Sequence, residues 1–271
     1  MKKIVLLVSL LSFFSLHALE LQIDVGGGLH FAGANGNLIY QKETWKGSSA
    51  VIDHGATTNF YAWTEINSDI KYAPTIRMEI SRNSTLGQSL VHIDAGQTIN
   101  SIIDYIEQQI PLVTINDTYY DSRLVMNTYE AFAYYEYFKE SGYPTLGLGL
   151  GVKKFEFDYS ATIIDGLEFN DNGGDTVPMI FLKSRYELLD KDEELQIAVQ
   201  GNLKLLVLAD SDIYDYVMKM DMMMQYNETT DLGLEFGYRE TYFNIKGGDV
   251  ANVGGTMDNA GVFVGFVGHF R

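Results

Sequence analysis

Two short segments place acidic residues or histidine two positions apart, a spacing that puts both side chains on one face of an extended strand. They are His92-Ile93-Asp94 and Asp210-Ser211-Asp212. Carboxylates and histidine arranged in this way can activate a water molecule for hydrolysis. In a chain with 36 acidic residues, however, such pairs also arise in solvated loops. The pattern therefore allows a surface hydrolase without favouring one.

Serine beside histidine is the other arrangement that could supply a nucleophile. The five histidines are His17, His30, His54, His92 and His269, and none shows a local arrangement with serine. We therefore predict no catalytic residue and a chain that is not an enzyme.

A third segment, Asn170-Asp171-Asn172-Gly173-Gly174-Asp175, is rich in oxygen ligands and glycine, as calcium-binding loops are. The bidentate Glu that completes an EF-hand is missing, because Met179 occupies its position. We therefore interpret the segment as a polar turn, and we predict no metal and no cofactor. Weak binding of divalent cations at this turn stays an open alternative.

Composition excludes several further kinds of function. The chain has 271 residues, no cysteine and a formal net charge of -17. Without cysteine it can hold no thiolate zinc site, iron–sulfur cluster or disulfide. The acidic balance argues against a nucleic-acid partner, because phosphate binding needs clustered Lys and Arg.

The first 18 residues have the features of an export signal. Met1-Lys2-Lys3 is followed by an apolar run from Ile4 to Leu16 and by Ala18, a plausible cleavage position. No later stretch is apolar enough for a membrane helix, so we expect an exported protein with residues 19–271 as its mature domain.

Alternation of apolar and polar residues predicts long strands in that domain. In the segment from Tyr214 to Tyr226, Met218, Met220, Met222 and Met224 share one face with tyrosines at both ends. Aromatic residues flanking an apolar row are typical of strands that cross a bilayer. A soluble β-sandwich also alternates, but its strands are usually about 5 to 6 residues long. The pattern therefore favours an all-β, antiparallel, up-and-down transmembrane barrel.

We predict ten strands, with twelve as an alternative if residues 88–95 and 110–118 also form strands. The ten are residues 19–31, 59–67, 74–82, 124–138, 145–158, 177–188, 194–208, 212–226, 231–243 and 260–270. If both termini are periplasmic, the inner turns are short (68–73, 139–144, 189–193, 227–230). Most outer loops are then long (32–58, 83–123, 159–176, 244–259). In the longest of these loops, isoleucines at helical spacing from Ile99 to Ile110 predict a short amphipathic helix.

The inward faces of these strands carry both signs of charge in similar numbers. A barrel of ten strands is too narrow to leave such charges fully hydrated, so we expect them to pair. The predicted network in the lumen comprises Arg77, Glu79, Glu130, Glu136, Lys183, Arg185, Glu187, Lys204, Asp215, Lys219, Asp221, Glu235 and Arg239.

The last strand, Gly261 to Phe270, alternates Val262, Val264 and Phe266 toward a terminal aromatic residue, although Arg271 follows it. With the export signal, Tyr61-Ala62-Trp63-Thr64-Glu65-Ile66 and Pro74-Thr75-Ile76-Arg77-Met78-Glu79, the chain resembles a family of small Gram-negative outer-membrane β-barrel proteins. The resemblance implies an outer-membrane location, lipid and lipopolysaccharide as surroundings, and recognition by the barrel assembly machinery through the strand ending at Phe270. It transfers no catalytic residue.

Ten-stranded outer-membrane barrels include proteases with an Asp pair and an Asp-His pair at the outer mouth. Here the two pairs occur in the reverse order along the chain. The leading hypothesis is thus a non-enzymatic barrel with a structural or surface-interaction role. A narrow, weakly cation-preferring, porin-like channel is the alternative, and a surface hydrolase is the least favoured. The oligomeric state and any solute stay open.

Overall fold

The computed structural model describes residues 21–40, 49–68, 70, 72–92, 118–138, 143–164, 167–189, 195–206, 211–245 and 253–271. Residues 1–18 and the segment from Ile99 to Ile110 lie outside this part of the chain, so the export signal and the amphipathic helix stay predictions. Among the described residues, no helix is long and apolar enough to cross a membrane.

Ten antiparallel strands close into one barrel, as the sequence predicts. Each strand pairs with its neighbours in the chain, and the ring closes where β1 pairs with β10 from Ile23↔Phe270 to Tyr40↔Val253. The alternative with twelve strands is wrong, because the ring is complete with ten. The strands are β1 Leu21–Tyr40, β2 Ser49–Ser68, β3 Thr75–His92, β4 Thr118–Tyr137, β5 Thr145–Ile164, β6 Leu167–Leu189, β7 Leu195–Leu206, β8 Ser211–Asn227, β9 Thr230–Ile245 and β10 Val253–Phe270.

The barrel has two unlike ends. Residues Leu21 and Phe270 lie at one end, here called the terminal end, together with the short β2–β3, β4–β5, β6–β7 and β8–β9 connections. The opposite end is called the loop end. The predicted short turns therefore lie together, at the end that carries the termini.

Several predicted outer loops are in fact strand. β1 continues to Tyr40, β2 begins at Ser49, and β5 and β6 are separated only by residues 165–166. The predicted loops 32–58 and 159–176 are therefore wrong. Their polar outward residues had suggested loops, but the backbone pairing continues without interruption from Lys153↔Val177 to Ala161↔Phe169.

An apolar belt surrounds the outside of the barrel nearer the terminal end. Outward side chains such as Leu150 and Phe266 are 68% and 74% exposed. The belt consists of the outward positions within residues 23–31, 60–66, 76–80, 125–137, 146–152, 178–188, 195–205, 214–226, 232–238 and 260–266, and none of them is Asp, Glu, Lys or Arg. Outward charges begin on the loop side of the belt, at Arg82, Lys154, Glu240 and Asp258.

The apolar face of a strand changes sides where the strand leaves the belt. On β5 the apolar side chains point outward through Leu150 and Val152, whereas beyond Lys153 they point inward at Phe155 and Phe157. In the loop half, the inward apolar residues build one core, which shares the lumen with buried polar side chains such as His54 and Ser122. Its buried members include Ile52, Leu124, Met126, Phe155, Phe157, Tyr159, Val177, Met179, Ile213, Phe243 and Met257.

Glycines on β5 make room for aromatic rings inside the barrel. A Cβ atom added at Gly149 would lie 2.4 Å from Cβ of Tyr134, and one at Gly151 would lie 2.3 Å from Cδ1 of Phe132. The two rings therefore pack directly against the β5 backbone, beside Phe181, whose ring centroid is 5.0 Å from that of each.

Candidate functional site: the charged layer and the vestibule

A layer of paired charges crosses the middle of the lumen. Its centre consists of three carboxylates, Glu79, Glu130 and Asp215, and three cations, Lys153, Lys204 and Arg239. Lys153 Nζ lies 2.9 Å from Oε1 of Glu130 and 2.8 Å from Oδ2 of Asp215. Lys204 contacts all three carboxylates, and Arg239 does the same. Strands β3, β4, β5, β7, β8 and β9 are thereby cross-linked through the lumen.

A second group of charges extends the layer toward the terminal end. Arg77 binds both Glu65 and Glu79 and so joins this group to the centre. Lys183 Nζ lies 2.8 Å from Oε2 of Glu65 and 3.1 Å from Oε1 of Glu136. The hydroxyl of Tyr134 donates to Glu65 over 2.8 Å.

A third group surrounds Trp63. Lys219 Nζ lies 2.8 Å from Oε2 of Glu235. The other carboxylate oxygen of Glu235, Oε1, accepts hydrogen bonds from the Tyr61 hydroxyl and from the indole N–H of Trp63. Two cations lie over the Trp63 ring, with Lys219 Nζ 4.2 Å and Arg77 Cζ 4.7 Å from its centroid. These cation–π contacts stabilise the indole in this position.

Twelve of the thirteen predicted network residues take part in these ion pairs. Ten lie in the three groups, and the other two, Arg185 and Asp221, bind each other, with Asp221 also contacting Lys219. Glu187 differs, because it is exposed at the rim of the terminal end and has no ion pair with any described residue. Two members were missed, Glu65 and Lys153. Both follow from alternation alone, since Glu65 continues the inward row of Tyr61 and Trp63, and Lys153 continues that of the β5 glycines.

A cavity of about 470 Å³, here called the vestibule, opens at the terminal end and reaches the charged layer. Trp63, Lys183, Arg185 and Asp221 line its inner part, and Glu187 and His269 lie nearer the rim. Deeper in the lumen, a cavity beside Tyr61 and Phe263 measures about 20 Å³, room for roughly one water molecule, and the apolar core lies beyond the charged layer. The vestibule is therefore blind.

The loop half of the lumen contains a buried hydroxyl–imidazole cluster that the sequence pattern did not reveal. His54 Nε2 lies 2.7 Å from Oγ of Ser122, and its Nδ1 lies 2.9 Å from Oγ1 of Thr85. Ser89 lies 2.7 Å from Ser122. The expectation that no histidine is arranged with serine is therefore wrong. Both ring nitrogens are satisfied by hydroxyls, as buried polar groups generally are, and no described carboxylate orients the imidazole.

The sequence motifs that suggested hydrolysis do not come together. His92 ends β3 and Asp212 is the second residue of β8, on opposite walls of the barrel, and both side chains point outward and are exposed. Asp94 and Asp210 lie outside the described residues. Residues 170–175 belong to β6 and are not a turn, so they cannot wrap a cation as a calcium loop does. No described group of His, Asp and Glu could hold a metal ion.

Comparison with solved structures supports the fold. The chain is similar to the outer membrane protease OmpT from Escherichia coli, with a TM-score of 0.51 and 11% identity over 92% of this chain and 96% of that one. The transport unit of the autotransporter AIDA-I from Escherichia coli aligns with a TM-score of 0.34 and 8% identity, over 95% and 92% of the two chains. At these identities the likeness concerns architecture alone. No family model and no curated protein matches the chain.

Proposed function

We propose that this protein is a non-enzymatic, integral outer-membrane β-barrel of a Gram-negative bacterium, with a closed lumen and a structural or surface-interaction role. One observation carries the proposal. The barrel presents a charge-free apolar belt outside while its charges are paired inside. Lipid is the environment that such an outer surface requires, and a closed ring leaves no unpaired strand edge in it.

The same assignment implies an orientation. Residues 1–18 direct export, and the terminal end with its short connections lies in the periplasm. The β10 strand ending at Phe270 is the segment that the barrel assembly machinery recognises. Lipid surrounds the belt, and lipopolysaccharide surrounds its loop-side margin, where Arg82 and Lys154 begin the outward charges.

A closed lumen follows from two successive barriers. An ion that enters from the vestibule meets the charged layer, in which each cation contacts one or more carboxylates. Beyond it lies the apolar core around Phe155 and Phe243, whose ring centroids are 5.2 Å apart. An ion in such a core would lose its hydration without gaining a partner.

Planar bilayer recording tests this proposal. The purified protein should show small or no steady conductance, and any residual current should prefer cations because the chain is strongly acidic. The double substitution Phe155→Ala and Phe243→Ala removes apolar bulk above the charged layer and should raise the current, whereas Lys154→Gln on the outer surface should not.

A narrow channel is the second candidate, because the vestibule already penetrates to the middle of the barrel. A stable conductance in the unmodified protein would favour it over the closed barrel. A large, anion-selective conductance would contradict both the closed barrel and the narrow, weakly cation-preferring channel.

A further inference from the structure

The vestibule has the size of a binding site. Its volume of about 470 Å³ lies within the range of about 300 to 1,000 Å³ that is usual for small-ligand pockets. Its inner end is fixed by the ion pairs of the charged layer, so the pocket is formed before any ligand arrives. Trp63 contributes an aromatic wall and also a natural reporter.

Arg185 differs from Arg77 and Arg239, the other two arginines of the charged layer, because only one of its two Nη atoms is engaged. Its Nη1 donates to Oδ2 of Asp221 over 2.9 Å and to Oε1 of Gln200 over 3.4 Å. No described residue accepts a hydrogen bond from its Nη2 or Nε. By contrast, Arg77 and Arg239 each use both Nη atoms on carboxylates. With a side chain 24% exposed, Arg185 offers the vestibule a free donor edge.

A free guanidinium edge of this kind binds a carboxylate or a phosphate through two parallel hydrogen bonds. The other charges of the vestibule decide between them. Its lining includes the carboxylates of Asp24, Glu65, Glu136, Glu187 and Asp221 but only Lys183, Arg185 and Arg271 as full cations. A phosphate, with more negative charge, would be repelled more strongly than a single carboxylate.

Glu187 supplies the complementary group. It lies two residues from Arg185 on the same strand and the same face, so the two Cα atoms are separated by about 7 Å. Because Glu187 is exposed and has no ion pair with any described residue, it is available to a positively charged group. A ligand that satisfies both residues carries an anion at the inner end and an ammonium group nearer the rim.

We propose that the vestibule binds a short zwitterionic peptide. Its α-carboxylate lies on the free edge of Arg185, and its N-terminal ammonium group faces Glu187. The two-residue step from Arg185 to Glu187 covers about the length of an extended dipeptide, at roughly 3.3 Å per residue, whereas a single amino acid is half as long. The proposal does not depend on where the barrel resides, since all the lining residues named above belong to this chain.

Titration in detergent micelles tests the proposal with L-alanyl-L-alanine as the probe. In a Trp45→Phe background, Trp63 is the sole tryptophan, and its fluorescence should change saturably on binding. N-acetylation of the dipeptide removes the ammonium charge and C-amidation removes the carboxylate. Each should weaken binding at least tenfold.

Two substitutions pair each capped peptide with the residue that it should lose. In Arg185→Gln, C-amidation of the dipeptide should have no further effect on affinity, while N-acetylation still weakens binding. In Glu187→Gln, N-acetylation should have no further effect, while C-amidation still weakens binding. Arg82→Gln, an outward cation far from the vestibule, is the matched control and should bind like the parent protein. If Arg185→Gln fails to fold, the capped peptides on the parent protein still decide the matter.

Three outcomes overturn the proposal. They are no saturable signal from the dipeptide, equal affinities for the free and capped peptides, and tighter binding of the amidated peptide, which would make the vestibule a cation site. Conductance measurements are unaffected by any of these, so failure here is distinguishable from failure of the closed-barrel proposal.

Discussion

Glu79 and Glu130 lie directly opposite each other on β3 and β4, although both are carboxylates. Like charges in that position normally destabilise a strand pair. Here Lys204 from β7 and Arg239 from β9 contact both of them from across the lumen. The repulsion between two neighbouring strands is thus offset by cations from the opposite wall, and this ties the two walls together.

Removal of one cation from this arrangement should be costly. Lys204 is fully buried, so Lys204→Met should destabilise the barrel by about 3 to 5 kcal/mol, because uncompensated carboxylates stay buried. Lys154→Met, which breaks an exposed pair with Glu156, should leave the free energy of unfolding nearly unchanged. Denaturant unfolding in micelles measures both, and equal losses would contradict the role assigned to the charged layer.

The close packing of aromatic rings on β5 gives a second prediction. Gly149→Ala should destabilise the barrel by about 1 to 3 kcal/mol, because the new methyl group would overlap Tyr134 and the β4 backbone. Gly201→Ala meets no atom within 4 Å and should be neutral or slightly stabilising. The same unfolding assay compares them, and a neutral Gly149→Ala would mean that the lumen is looser than the structure shows.

The belt predicts a strong dependence on side-chain charge outside the barrel. Met220→Arg should reduce folding into lipid bilayers by about 2 to 4 kcal/mol, because it places a cation on the lipid-facing side of β8. Met220→Leu is the control and should fold like the parent protein. Folding is read from the heat-modifiable mobility of the barrel on gels, and tolerance of Met220→Arg would argue against membrane insertion.

Orientation can be tested by labelling, because the chain contains no natural cysteine. Asp158→Cys places a thiol on the outer surface near the loop end, and Glu228→Cys places one in the β8–β9 turn of the terminal end. A membrane-impermeant maleimide should label the first on intact cells and the second only after the outer membrane is permeabilised. The opposite result would invert the proposed topology.

The strand count and order could be predicted because the belt leaves a strict outward alternation in every strand. The strand lengths could not, since alternation was read only with the apolar face outside. Beyond Val152 the alternation continues with the two faces exchanged. The outward side chains there are the exposed Lys154, Glu156 and Asp158, and charges on a side expected to face lipid predict a loop. The long strands and the apolar core of the loop half were missed for the same reason.

The charged layer was largely predictable because inward charges in a narrow barrel have few alternatives to pairing. The individual pairs of cation and carboxylate were not predictable, since residues such as Lys204 and Glu79 are 125 residues apart and meet only when the barrel closes. The His54 cluster was hidden for a similar reason. Its members lie on β2, β3 and β4, and no short-range sequence pattern connects His54 with Ser122, 68 residues away.

The exchange of faces on β5 makes the position of a residue along its strand as important as its chemical type. One residue inserted between Val152 and Lys153 would rotate everything beyond it by half a turn, sending Phe155 and Phe157 outward and Lys154 and Glu156 into the core. A point substitution changes the contacts of one side chain, whereas such an insertion would exchange the inward and outward side chains over the whole loop half of the strand. An insertion of one residue is therefore tolerated only beyond the strand ends, and the number of residues that precede Lys153 on β5 sets the level at which the apolar belt ends.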